Sequence, residues 1–151
     1  MRAAMQVGEG ALSLEDRQAI TEVTIRYCWA LDERDWEGLG EVFTPDATAD
    51  LASARLSGLD AIAARCSAAL SPLDVSQHLV STHQVHVNGD TATHRCYLHA
   101  QHTKRGTEGG DNYIVAGRYL DDLIRTDDGW RITHRILEVD WTEGNQEVTR
   151  P

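Results

Sequence analysis

The stretch QHLVSTHQVHVNGDTATHRCYLHAQHTK, residues 77–104, decides the fold. Upstream of it apolar residues recur at helical spacing; within it the period drops to two. Val85 and Val87 alternate into Asn88-Gly89-Asp90, a hairpin signal, because Asn-Gly readily supplies the positive φ that a tight turn between right-twisted strands requires. Beyond the turn His94, Cys96, Leu98, Ala100 and His102 share one face, while Arg95, Tyr97, His99 and Gln101 share the other. The apolar set marks the inward face of a long strand that reaches about Lys104.

The pattern continues downstream. A Gly-rich loop, GTEGGD, precedes a strand over Tyr113–Arg125, and Asp127-Asp128-Gly129 turns it into a last strand over Trp130–Trp141. Upstream, Ser13 and Asp16 read as a capping box. Ile20, Val23, Tyr27 and Leu31 then form the apolar stripe of a first helix from Leu14 to Leu31. Asp35 caps a second, short helix that turns Leu39, Val42 and Phe43 inward and ends at Thr44-Pro45-Asp46. Residues 47–57 read as a strand and turn. Gly58-Leu59-Asp60 opens a third helix carrying Ile62, Cys66 and Leu70 and stopping near Pro72. Three helices followed by a meander of long strands predict an α+β fold: a curved antiparallel sheet forming a cone, covered by the helices, with an internal pocket. Residues 13–142 form the single domain, with tails over 1–12 and 143–151.

Composition narrows the partners. The chain has 151 residues, and 14 Lys+Arg against 24 Asp+Glu leave a formal charge of −10. Phosphate-backbone binding and docking on anionic lipid both draw on clustered basic residues, so neither nucleic acid nor a membrane is an expected partner. Three cysteines without metal-ligand spacing read as small buried hydrophobes of a reducing cytoplasm. The N-terminus lacks the apolar core of a signal peptide, and no segment is long and apolar enough to span a bilayer.

Asp32 follows the first helix's apolar stripe, in Ala30-Leu31-Asp32. It is either a solvated helix-end carboxylate or a core-facing one, able to orient and charge-stabilise an imidazolium. All seven histidines lie after residue 77. His94 and His102 face inward by parity, whereas His78 has the opposite parity to Val85 and Val87 and reaches the pocket only across a bulge. The pairs His83/His86 and His99/His102 are three residues apart on strands, hence on opposite faces, so neither grips one ion. No phosphate cradle or nucleophile elbow occurs. The residues therefore predict neither metal nor cofactor.

Arg26-Tyr27, Asp32, Asp35-Trp36, Leu39, Phe43-Thr44-Pro45-Asp46-Ala47 and Gly58 together resemble the helical half of SnoaL-like proteins. Gly117-Arg118-Tyr119, Asp122, Ile124-Arg125, Gly129-Trp130-Arg131-Ile132 and His134-Arg135 resemble the family's last hairpin. That family belongs to the nuclear-transport-factor-2-like superfamily, and within it the chain is similar to the scytalone and bile-acid dehydratases. The resemblance implies a cofactor-free dehydratase, isomerase or cyclase acting on a small apolar cyclic or polyketide-like substrate. Asp32 and His78 match the catalytic pair, with His78 taking a proton beside a carbonyl. Tyr27 donates to the developing enolate or leaving hydroxyl, and His102 protonates the departing group. Leu51 and Tyr119 fall at substrate contacts. A homo-oligomer, dimer or trimer, is expected. The alternative is a non-catalytic ligand-binding or oligomer-forming module on the same fold.

Overall fold

A computed structural model describes residues 2–150, with side chains described from Leu14 onward. Helix α1 spans Arg2–Glu33 and α2 spans Leu59–Leu70, separated by a 3-10 turn at Glu37–Glu41. Six strands follow the order β1 (Phe43–Leu51), β2 (Ala54–Ser57), β3 (Val75–Asn88), β4 (Thr91–Thr103), β5 (Asn112–Thr126) and β6 (Gly129–Gly144). In the sheet they run β2-β1-β6-β5-β4-β3. The fold is the expected α+β cone, with two α-helices among the described residues where three helices were expected; the sheet is mixed rather than antiparallel, because β1 pairs parallel with β6, and open, because β2 and β3 end the strand order without pairing.

Each departure has a local cause. The capping box at Ser13 does not start α1, whose backbone runs from Arg2; Asp16 instead accepts hydrogen bonds from Arg125 Nη1 and Nη2 and from Trp130 Nε1. The expected tail over 1–12 lies outside the described side chains. Asp35 does cap the short turn, its Oδ1 accepting from Gly38 N, but the turn is 3-10 and Phe43 already begins a strand. Thr44-Pro45-Asp46 does not end the structure: five steps along β1, Phe43 to Thr48, span two along β6, Ile132 to His134. That bulge accommodates a proline that has no N–H for the ladder. Residues 143–150, expected as a tail, complete β6 and form a 3-10 turn at Gln146–Thr149 that buries Val148.

The core lies between the concave face of the sheet and the two helices. From α1 it takes Ile20, Val23, Tyr27 and Leu31, spaced for one helical face; from α2 it takes Ile62, Cys66 and Leu70. Strand β4 alternates as its sequence predicts, burying Ala92, His94, Cys96, Leu98, Ala100 and His102. Among the described residues, no helix is long and apolar enough to cross a membrane.

Candidate active site

The pocket's chemistry depends on one irregularity in β3. Ser81 pairs with Tyr97 and Gln84 with Arg95, so three steps on β3 oppose two on β4. Thr82, in the left-handed region at φ 58°, takes up the extra residue. The slip reverses side-chain parity: Val85 and Val87 stay inward on one side of the bulge, and Ser76 and His78 turn inward on the other. His78, whose plain alternation points it outward, thereby lines the cavity.

Asp32 occupies the last turn of α1 and points back across this strand. Its Oδ1 lies 2.7 Å from His78 Nδ1 and accepts from Ser76 Oγ at 3.0 Å, while Oδ2 accepts from the His78 backbone N–H at 2.9 Å. The chain leaves the helix through Arg34, itself left-handed at φ 62°. The Arg34 guanidinium turns back to donate to Leu31 O and to Ser76 Oγ, both at 2.7 Å. The carboxylate is thus held on three donors. Burial favours its neutral form, but the hydrogen bonds from the His78 ring and backbone, the attraction of that ring whenever it is protonated, and the Ser76 hydroxyl outweigh it. The carboxyl stays below the usual aspartate value and ionised. A carboxylate only accepts, so the His78 proton sits on Nδ1, and in the neutral ring Nε2 carries the lone pair.

His102 stands on the adjacent strand opposite Ser76, its ring 6.0 Å from that of His78 and edge-on to it. Burial, reinforced by the nearby His78, pushes it down to about 4 against the weaker pull of the Tyr113 carbonyl and Asp32. Its Nδ1 donates to the Tyr113 carbonyl at 3.2 Å. His102 is therefore neutral, with its proton turned away from the cavity. The expected role of proton donor to a departing group does not fit that arrangement; the ring offers the cavity an acceptor.

Tyr27, Leu51 and Tyr119 line the same cavity, which has a volume of about 490 Å³, and Asp32 sits behind His78 rather than at the wall. Tyr27 is buried, its hydroxyl 3.8 Å from Cys66 Sγ. Burial drives its phenol well above the ordinary value, so it remains a donor throughout the physiological range. Its ring meets those of Phe43 and Tyr119 edge-on. The remaining wall is largely apolar, with Leu31, Leu98, Val115 and Leu137, and Arg65, Gln146 and Thr149 add polar groups.

Sequence reasoning missed the base beneath this wall. Arg135, fully buried, donates Nε and Nη2 to the two oxygens of Asp121 at 2.7 Å each and Nη2 to Thr24 Oγ1 at 2.8 Å. Its guanidinium lies over the Tyr119 and Tyr27 rings, 4.0 and 4.5 Å from their centroids. The signal was present as opposite charges at positions that pair directly across the β5–β6 hairpin. Ser76, two residues from His78, and Arg34 were likewise not singled out.

The SnoaL-like domain model matches residues 12–136. Rv2910c of Mycobacterium tuberculosis, an uncharacterised protein, is 33% identical over 140 residues, 89% of this chain and 90% of that one. The crystal structure of Kfla4162 from Kribbella flavida superposes with a TM-score of 0.85 at 25% identity, covering 92% of this chain and 99% of that one. A type 2 hexachlorocyclohexane dehydrochlorinase (LinA) superposes with a TM-score of 0.78 at 15% identity, over 92% and 95% of the two chains, a likeness of fold alone.

Proposed function

The chain belongs to the SnoaL-like family, and on that premise we propose that its cavity is the active site of a cofactor-free acid–base enzyme acting on a small, largely apolar cyclic ketone or polyketide-like molecule. The observation that carries the reading is the 2.7 Å contact between His78 Nδ1 and an Asp32 carboxylate held by further donors. It commits one ring nitrogen and leaves the other as a base in an apolar cavity. The volume lies within the range of roughly 300–1,000 Å³ usual for small-molecule sites.

In this reading His78 Nε2 takes a proton from carbon beside the carbonyl, and the electron pair of that bond enters the enolate. Asp32 stabilises the imidazolium so formed, a contribution of about 10²–10⁴-fold. Tyr27, kept as a phenol, donates to the enolate oxygen. The imidazolium then returns its proton: to a departing hydroxyl, which leaves as water, or to another carbon, which shifts the double bond. His102 accepts a hydrogen bond from a substrate hydroxyl and sets its orientation. Leu51 and Tyr119 pack against the ring system. The family includes proteins of this fold that only bind or assemble, so the reading needs a direct test. A panel of hydroxylated cyclic ketones and aromatic polyketides, assayed with wild type and His78→Ala, provides it. Turnover that the variant loses supports the enzyme; binding without turnover, equal in both proteins, makes the chain a ligand-binding module. The expected pairing of copies finds support in Leu79, Tyr97 and Trp141, exposed on the outer face of the sheet; light scattering of wild type and Trp141→Ser reads it.

A further inference from the structure

The bulge that turns His78 into the cavity also assembles a second constellation, which the proposed chemistry does not use. His83, inside the bulge of β3, places Nδ1 3.0 Å from Nε2 of His94 on β4, the rings stacked with centroids 5.3 Å apart. Cys96, two residues further along β4 and on the same face as His94, completes the group: the three donor atoms lie within 4.8 Å of one another. His94 is fixed from behind, its Nδ1 donating to Asp121 Oδ2 at 2.8 Å, with both side chains fully buried. Because Asp121 only accepts, His94 carries its proton on Nδ1 and presents the Nε2 lone pair to His83 and Cys96.

The geometry points to a mononuclear site for a borderline divalent transition-metal ion of the zinc type, held by His83 Nδ1, His94 Nε2 and Cys96 Sγ, with Asp121 orienting His94 and a fourth position open to water. Two imidazoles and a thiolate form a donor set that suits zinc chemistry, and a carboxylate behind one ligating histidine is the usual supporting contact. Zinc–nitrogen and zinc–sulfur bonds of about 2.0 and 2.3 Å set tetrahedral edges of about 3.3 Å between nitrogens and 3.6 Å from nitrogen to sulfur. The two imidazole nitrogens already stand at 3.0 Å, and the outermost separation, within 4.8 Å, has to close by no more than roughly 1 Å. A cleft lined by Thr82, His83, Gln84 and Cys96 gives access from solvent.

A second arrangement of the same residues, a Cys96–His94–Asp121 nucleophile relay, fits less well. His83 occupies the nitrogen of His94 that a thiol would need. Metal uptake accounts for all three donors. Cys96 gives up its proton to bind as thiolate, His83 moves its proton from Nδ1 to Nε2, and one proton is released per ion. The ion's two charges and the thiolate leave +1 beside the mutually neutralising Asp121 and Arg135. Neighbouring-histidine spacing could not reveal the site, because its donors come from two strands brought into register by the bulge. Its consequence is mechanical: an ion on His83 pins the segment whose parity slip sets the position of His78.

The test is metal loading of the full-length protein, read without any activity. The chelated and dialysed protein is titrated with Co²⁺ and with Zn²⁺. The expected result is one equivalent of Co²⁺ bound, with ligand-field bands and a thiolate-to-cobalt charge-transfer band, displaced by one equivalent of Zn²⁺. Cys96→Ser should lose the charge-transfer band, and His83→Ala, a change at a partly exposed side chain, should lose stoichiometric uptake. Circular dichroism and thermal melting establish that both variants are folded, and Asp32→Asn should load as wild type does. Uptake below one equivalent in wild type, or uptake with a charge-transfer band that persists in folded Cys96→Ser, overturns the site.

Discussion

Replacing His102 by asparagine should remove a large acid-side loss of stability from the cavity wall. Free histidine titrates near 6.5, and in the folded chain burial, with a contribution from His78, pushes His102 down to about 4. Between these values the unfolded chain carries a proton that the native chain refuses. Native stability is therefore intact above about pH 6.5, falls as pH drops through the window, and stops falling below about 4. A tenfold difference in proton affinity is worth about 1.4 kcal/mol, so the full loss over about 2.5 units is about 3.4 kcal/mol, most of it reached near pH 4.5. The side chain is buried, so solvent screening does not discount the figure. Asparagine keeps the fold's local requirement, because its Nδ2 can donate to the Tyr113 carbonyl as His102 Nδ1 does at 3.2 Å. Urea unfolding near pH 7 and near pH 4.5 measures the effect, and the wild type should lose about 2.5 kcal/mol more than His102→Asn across that interval. Parallel losses, agreeing within roughly 0.5 kcal/mol, would refute both the effect of burial on the ring and its neutral assignment.

Two structural substitutions test the framework around the site. Asp121→Ala leaves the fully buried Arg135 guanidinium without its carboxylate and should cost about 3–5 kcal/mol in denaturant unfolding; a loss within about 1 kcal/mol would mean that the pair is not buried as described. Gly117→Ala introduces a Cβ that would collide with the Glu138 carbonyl oxygen, where β5 and β6 slip register. Backbone must move, so a cost at the upper end of the roughly 1–3 kcal/mol typical of overpacking is expected from thermal unfolding; an unchanged melting temperature would contradict the close approach.

The helices and strands of this chain were legible where local chemistry and tertiary packing agree. The alternation of His94, Cys96, Leu98, Ala100 and His102 survives into the structure because β4 has neighbours on both sides and one buried face. Gly117 was legible as part of a motif, but its reason, the absence of room for a Cβ against Glu138, appears only across the hairpin. Register slips cannot be read from period two. The slip at Thr82 turns His78 inward, and the slip after Phe43 lets Pro45 sit in a strand paired parallel with β6. The site follows the same division. Asp32, Tyr27 and His102 were readable from the helical stripe, strand parity and the family resemblance. Ser76 and Arg34 meet only when β3 packs on the end of α1; the His83–His94–Cys96 group depends on the β3 bulge, and Arg135 on the cross-hairpin register that sets it opposite Asp121.

The proposed chemistry requires Asp32 and His78 to act as one unit on a carbon-bound proton, and exchange of that proton tests it most directly. Wild type, Asp32→Asn, His78→Ala and the double variant are incubated in deuterated buffer with the hydroxylated cyclic ketone that wild type processes best. Deuterium entry beside the carbonyl is then followed by NMR. Rapid exchange is expected in wild type, with a loss of about 10²-fold or more in each single variant and little further loss in the double variant, as for groups that function together. Exchange that persists at the wild-type rate in His78→Ala, or single losses that simply multiply in the double variant, would contradict it.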